Sequence, residues 1–545
     1  MKKILYTVFA ITLLCLPFGA CTDNAMNDDP EEPFTDPIPM EDLEESTVTF
    51  GNPIIYSDVP DPSVVRVGND YYMVSTSMHL VPGAAILHST DLNNWQTVGY
   101  AFDRLEGSPA ANFENDPDIG RNDIYSQGSW ASSLAYHNGK FYCLWNTWGF
   151  GSNATSYISS ATDPAGPWEI EQRMDRLFYD ASLFFDDDDK AYIFAAHAET
   201  ITLLNPDLSA SSTEYIFSTG AYEGEGYQVR KVDGRYYIFM MCWPSGSVRS
   251  VVCLRADNIA GPYTARMVLS SKIGGSNGIG DGVSQGCVID TPDGKWYGLF
   301  FTDLGPVGRC PVLTSCKWEN GWPIFGTKLG EVETDVPAPS GSNQYSRPVV
   351  VQNDDFDAGK LNLMWQWNHN PSAAHWSLSA RSGYMRLITG HIATDYFHAR
   401  NTLTCRTMGP ACRGDIALDF SAMKDGDRAG LSMMQYQSGL VGVKKEGGSY
   451  HLFMSDGVQD GIVTERTSIP ISQTSVYLRV TANFDTNKAK FYYSLNGSLW
   501  VEIGNEMTMT YDLLNFVGNR FAIFNYATKQ TGGYVDVDYF RFSRM

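Results

Sequence analysis

Helical periodicity is almost missing from these 545 residues, and no apolar run after the first twenty is long enough to cross a bilayer. The first absence argues against a helical bundle or a doubly wound α/β fold. No Cys-x-x-Cys and no Cys/His spacing suggests zinc. Ten cysteines are present. Cys15 and Cys21 fall near the N-terminus, and most of the other eight lie in apolar, strand-like stretches where a thiol serves as a small hydrophobe. Cys405 and Cys412 flank a Gly-Pro turn, a placement that would let them bridge in an oxidising compartment. Positive charge is also scarce: 39 Lys and Arg stand against 62 Asp and Glu, a net −23. Residues 22–45 hold ten acids and four prolines without one Lys or Arg. Such a stretch buries too little apolar surface to offset its ordering entropy, so residues 21–47 read as an acidic, disordered tether. The rest of the chain is still strongly negative, which argues against nucleic acid or another polyanion as partner and favours a neutral substrate.

What is present begins with a processing signal. Lys2 and Lys3 make a basic start, Ile4 to Pro17 an apolar stretch, and Gly19 and Ala20 precede Cys21 as small residues precede a cleavage site. Residues 1–20 are therefore expected to be a lipoprotein signal peptide, with Cys21 as the lipidated residue. The expected location is extracytoplasmic, lipid-anchored to the outer membrane on the cell surface or in the periplasm. The acidic run after Cys21 also resembles a surface-export signal.

Five segments then repeat one plan of short apolar strand, Gly/Asp/Asn turn and aromatic-rich strand. They start at Asp61, Trp130, Asp180, Glu225 and Gln285. Turns such as Asn138-Gly139-Lys140 and Asp233-Gly234-Arg235 are tight-hairpin chemistry. The spacing of the starts suits four-stranded units, and five of these close a ring without exposed edges. The expected fold is all-β: a five-bladed β-propeller over 48–336, with its inner strands bringing those five first residues to one axial pocket. After a linker at 337–346, residues 347–545 read as an antiparallel β-sandwich with short alternating strands.

At this point the chain resembles glycoside hydrolase family 43. The motifs carrying the resemblance are NPIIYSDVPDPSVVRVGNDYYM (52–73), GSWASSLAYHNGKFY (128–142), DASLFFDDDDKAYI (180–193), EGYQVRKVDGRYYIF (225–239), QGCVIDTPDGKWYGLFF (285–301) and GRCPVLTSCKWENGWPIFG (308–326). WQWNHNP (365–371) and DGDRAGL (425–431) resemble the concanavalin A-like, jelly-roll sandwich that accompanies such propellers. The resemblance implies a general base at Asp61, a general acid at Glu225, and Asp180 as the residue that tunes and orients the acid. It also implies a sugar-contacting arginine at Arg309 and a pocket-wall aromatic at Trp130. Gln285 opens the fifth repeat, and Trp243 and His79 are further candidates for the pocket wall. Ser284 stands where relatives commonly carry His near a central calcium or water cluster, so a central metal is not implied. Asp189 replaces a usual turn glycine. Asp357 and Asp538 are candidate ligands of a structural calcium; no cofactor is needed for the chemistry.

An inverting glycosidase needs one carboxylic acid to protonate the leaving oxygen and one carboxylate to deprotonate water on the opposite face. An ionised Asp180 nearby would favour the protonated form of Glu225. Each candidate also has a plainer reading: Asp61 before Pro62 as a turn initiator, Glu223 as the acid in place of Glu225, Trp130 as core, Arg309 in a surface ion pair. The leading expectation is an exo-acting, inverting hydrolase releasing arabinofuranose or xylose from plant oligo- or polysaccharides. Alternatives are a non-catalytic surface glycan-binding lipoprotein and a retaining fructoside hydrolase.

Overall fold

In the computed structural model the described residues are 48–545 without 151–153, 276–279, 327–329, 343–347, 394 and 460–461. The signal segment, Cys21, the acidic tether and part of the linker lie outside them. Five four-stranded antiparallel sheets follow one another along the chain, each with its strands in sequence order from inner to outer, and only in the first is a strand between them, Leu80–Val81, given to another sheet. Their inner strands are Ser63–Val67, Ser133–His137, Ser182–Phe185, Gly224–Val232 and Ser284–Asp290. This is a five-bladed propeller, and a short pair between Thr49–Gly51 and Asp335–Pro337 brings its two ends together.

The hairpins follow from their turn residues. Asn138 and Gly139, like Asp233 and Gly234, are paired left-handed positions, the backbone that a two-residue turn between twisted strands demands. Asp189 takes the left-handed conformation with φ 64°. Its short polar side chain tolerates that backbone better than a branched one does.

Buried hydroxyls stitch neighbouring inner strands. Ser63 Oγ accepts the N–H of Leu134 at 3.1 Å, Ser133 Oγ that of Leu183 at 3.0 Å, and Ser182 Oγ that of Val229 at 3.1 Å. Counting back two residues from the matched positions gives Asp61, Ala131, Asp180 and Gly226. Asp61, Asp180 and Gly226 all have positive φ, as does Gln285 in blade five. The alignment read from sequence is therefore offset by one residue at Trp130 and Glu225. In blade four the cause is turn length: Val232 pairs with Arg235 across two residues, whereas in blade three Asp186 N–H donates to Lys190 O across three.

Beyond the propeller, two large antiparallel sheets pack face to face into a β-sandwich. Cys405 and Cys412 lie on strands of different sheets, and both are free, buried thiols, so the expected bridge is not formed. Each thiol is packed as a small apolar group in the core.

The two domains share structure. Leu80–Val81, from blade one, pairs with Gln366–Asn368 and forms the edge of a sandwich sheet. Nearby, Ser57 Oγ donates to Thr407 O (2.7 Å), Arg406 Nε to Asp58 O (2.8 Å), and Asn519 Nδ2 to Pro306 O (2.8 Å).

Candidate active site

Asp61 sits at the mouth of blade one, just before its inner strand, and is buried. The Thr76 hydroxyl donates to its Oδ2 at 2.6 Å, and Arg309 Nη1 donates to both carboxylate oxygens at 2.8 and 3.0 Å. Burial pushes the Asp61 carboxyl above its ordinary range, against the pull of Arg309 and Thr76. The Arg309 guanidinium is itself raised, with the Asp61 charge as its leading upward influence. A charge-assisted pair of this geometry favours both ionised forms, so the ion pair is the resting state.

Arg309 opens the third strand of blade five, and its backbone N–H donates to Asp58 Oδ1 at 2.9 Å. The other Asp58 oxygen accepts the N–H of Gly518, a sandwich residue, at 2.9 Å. A Cβ at Gly518 would lie 2.2 Å from Val307 O, so this close approach requires glycine. The docked loop carries Phe516 into the pocket. The Arg309 guanidinium lies 4.7 Å from the Phe516 ring centre, and Trp130 meets the same ring edge-on at 5.5 Å. Tyr511 approaches from the same loop, with its hydroxyl buried and without a hydrogen-bond partner among the described residues.

On the opposite side, Glu225 is half-buried. Its Oε2 accepts the Tyr179 hydroxyl at 3.0 Å and lies 3.2 Å from His197 Nε2. Glu223 is exposed, which favours Glu225 as the pocket carboxyl. Asp180 is buried between the two halves, and the Gly226 N–H supports its carboxyl. Burial first, then the Glu225 and Asp61 charges, hold the Asp180 carboxyl well above its ordinary range. Those influences disfavour the ionised form of Asp180, whereas the sequence pointed to it as an ionised neighbour of Glu225.

Trp130, Trp148 and Tyr179 form an aromatic wall with ring centres 5.4–6.1 Å apart. Among the described residues, Trp130 Nε1, Ser129 Oγ, Gln127 Oε1, Thr302 Oγ1, and Nε and Nη2 of Arg309 are buried without a protein hydrogen-bond partner. Leaving such groups unpaired is costly. Around Trp130 and Arg309 they are matched to a ligand rich in hydroxyls.

Gln285 is buried with its side chain against Gly226, next to Glu225. Ser284 is buried with its hydroxyl 3.7 Å from Met241 Sδ. His79 is also buried, but it packs on Tyr125 and His369 at the domain interface rather than lining the pocket. Trp243 is 49% exposed just past the end of its blade-four strand, at the rim and not in the wall. Asp357 is exposed, and among the described residues no three His, Cys, Asp or Glu side chains gather where a metal could be held. Sequence reasoning missed Thr76, Asp58, Tyr179, His197, Tyr511 and Phe516. Tyr179 carried a signal, as the residue next to Asp180; Phe516 carried none, because it comes from the other domain.

A propeller whose axial pocket gathers three carboxyls, an arginine and an aromatic wall is the architecture of a glycoside hydrolase. The sequence pattern of "Glycosyl hydrolases family 43" matches residues 50–323, and that of a "Beta xylosidase C-terminal Concanavalin A-like domain" matches 353–543. The chain belongs to family 43 of the glycosyl hydrolases. It is 29% identical to a beta-xylosidase of Formosa agariphila over 91% of this chain and 90% of that one. It is 30% identical to a non-reducing end alpha-L-arabinofuranosidase of Bacteroides ovatus over 62% of this chain and 65% of the relative. Among solved structures, a bifunctional GH43-CE protein of Bacteroides eggerthii superposes with a TM-score of 0.84 at 40% identity, covering 92% of this chain; the chain spans 64% of that protein.

Proposed function

We propose that the protein is an exo-acting, inverting hydrolase that releases β-D-xylose or α-L-arabinofuranose from the non-reducing ends of plant oligo- or polysaccharides. The observation that carries this reading is the pairing of a buried, arginine-locked Asp61 with a half-buried, hydrogen-bonded Glu225 across one aromatic-walled pocket. Asp61 is the base that takes a proton from the attacking water. Glu225 is the acid that gives its proton to the leaving oxygen. Asp180, held between them, orients Glu225 and responds to its charge. Trp130 and Phe516, packed edge-on against each other, form one wall beside the sugar ring, and the free nitrogens of Arg309 meet its hydroxyls. The names of the xylosidase and arabinofuranosidase relatives support both pentoses as candidates. The reaction needs carboxyl groups and water alone, so any calcium would be structural. The N-terminal sequence supports a lipid anchor at Cys21, which would hold the enzyme on the outer membrane.

The test is hydrolysis of aryl β-D-xyloside and aryl α-L-arabinofuranoside, with Glu225→Gln as control and the anomer formed first read by NMR. Release of one pentose with inverted configuration, lost for poor leaving groups in the variant, is the expected result. A retained anomer overturns the mechanism. Full activity of Glu225→Gln on a disaccharide overturns the assignment of the acid.

A further inference from the structure

One imidazole touches the candidate acid from outside the pocket. His197 lies on the turn between the blade-three strands Ala191–Ala195 and Thr200–Leu204, with φ 59°. The turn is held in place: Ala196 N donates to Tyr179 O at 3.0 Å, and Phe217 N donates to Glu199 O at 3.0 Å. His197 Nε2 stands 3.2 Å from Glu225 Oε2, its ring centre is 4.9 Å from that of Tyr179, and its side chain is 59% exposed. Tyr179 and His197 therefore converge on the same oxygen of Glu225 from two sides. Among the described residues that leaves Oε1 as the oxygen to carry a proton toward a leaving group.

We propose that His197 is the positioning residue that decides over which pH range Glu225 keeps the proton it gives to the leaving group. The proposal rests on Glu225 being the general acid. The groups facing His197 are the Glu225 and Glu223 carboxyls of blade four and the Tyr179 phenol preceding blade three; Glu199 shares its turn. The hydrogen bond to Glu225 is the leading influence raising the imidazole above its ordinary value, with Glu223 adding to it. Two groups that interact strongly titrate as a pair. The doubly protonated pair has a loaded acid. After one proton is lost, the remaining one is shared: on Glu225 the acid is loaded, and on His197 an imidazolium faces a carboxylate. After the second loss the acid is empty. Because the imidazole is exposed, these protons exchange directly with solvent.

The basic limb of the pH–rate profile for a disaccharide, whose departure needs the acid, should therefore fall in two steps. His197→Gln keeps a hydrogen-bond donor and cannot be charged, so its limb should become a single step that begins about one pH unit higher. The acid limb should stay in place, because Asp61 is held by Arg309 and Thr76. A structural role alone would instead lower the rate evenly at all pH values. An activity-independent arm follows the His197 ring protons by NMR. The imidazole should titrate at lower pH in Glu225→Gln than in the unaltered protein, since the carboxylate that favours its charge is gone. A basic limb of unchanged shape and position in His197→Gln, or a His197 titration indifferent to Glu225→Gln, overturns the proposal. If the unaltered protein cleaves neither pentoside, the functional reading fails, while the NMR arm still tests the pair.

Discussion

The two sides of the pocket are built on opposite plans. The Asp61 side is closed: its carboxylate is buried, held by two partners, and backed through Arg309 and Asp58 by a loop from another domain. The Glu225 side is open: its carboxyl is half-buried, held on one oxygen, and next to an exposed imidazole. The difference follows the work proposed for each. A base must remain ionised and aimed, which a desolvated ion pair enforces. Both groups must be reset on every turnover, the base by releasing the proton taken from water and the acid by gaining one, and the exposed imidazole gives the acid an added route to solvent. Asp180, buried between the two and raised by both neighbouring charges, is what each side feels of the other.

The strongest way to separate the two sides is to remove each carboxyl. Asp61→Asn should reduce kcat/KM by about 10³- to 10⁴-fold whatever the leaving group, since water activation is always needed. Glu225→Gln should cost about 10²- to 10⁴-fold on a disaccharide and far less on an activated aryl glycoside, whose leaving group departs without help. Equal losses on both substrates in both variants would erase the distinction.

Arg309→Met attacks the closed side alone. Stripping the partner from a buried carboxylate should destabilise the fold by about 3–5 kcal/mol, read as a lower denaturation midpoint. The sign on activity is set by Asp61: with its cation gone its pKa rises further, the base is protonated at higher pH, and the acid limb moves upward. The basic limb should not follow. Gly518→Ala should act from the sandwich. The added methyl cannot fit against Val307 O, so Phe516 shifts, KM rises roughly tenfold, and stability falls by about 1–3 kcal/mol. The smallest effect is expected at the exposed rim. Trp243→Ala should leave stability within about 0.5 kcal/mol, and any loss should appear in KM for oligosaccharides rather than for monosaccharide glycosides.

The propeller was legible because its repeats are local: paired turn residues, period-two strands and an acid at the head of three segments all lie within short windows. The sandwich was legible as a class from its alternating strands, but not its sheet order, which depends on pairings between distant segments. Within the pocket, Asp61, Asp180 and Arg309 could be read from motif and position. The partners that define their chemistry could not. Thr76 reaches Asp61 from across a hairpin, His197 reaches Glu225 from another blade, and Phe516 comes from about 290 residues further along the chain than Glu225. The one-residue offset at Glu225 was hidden because blade four turns in two residues where blade three uses three, a difference that the common interval to the second strand conceals. The Cys405–Cys412 expectation failed for a related reason: closeness in sequence across a turn did not reveal that the strands belong to different sheets.

The strand Leu80–Val81 makes the two domains poor candidates for exchange as interchangeable cassettes. It begins four residues after Thr76, which bonds Asp61, and it completes a sheet whose other strands all belong to the second domain. Severing the chain between the domains would leave Gln366–Asn368 as a bare sheet edge, of the kind that recruits stray strands into aggregates. The same cut would release the loop that steadies the base. Recombination that swaps one half must therefore preserve this seam, and grafting the catalytic ring onto another companion would require rebuilding it.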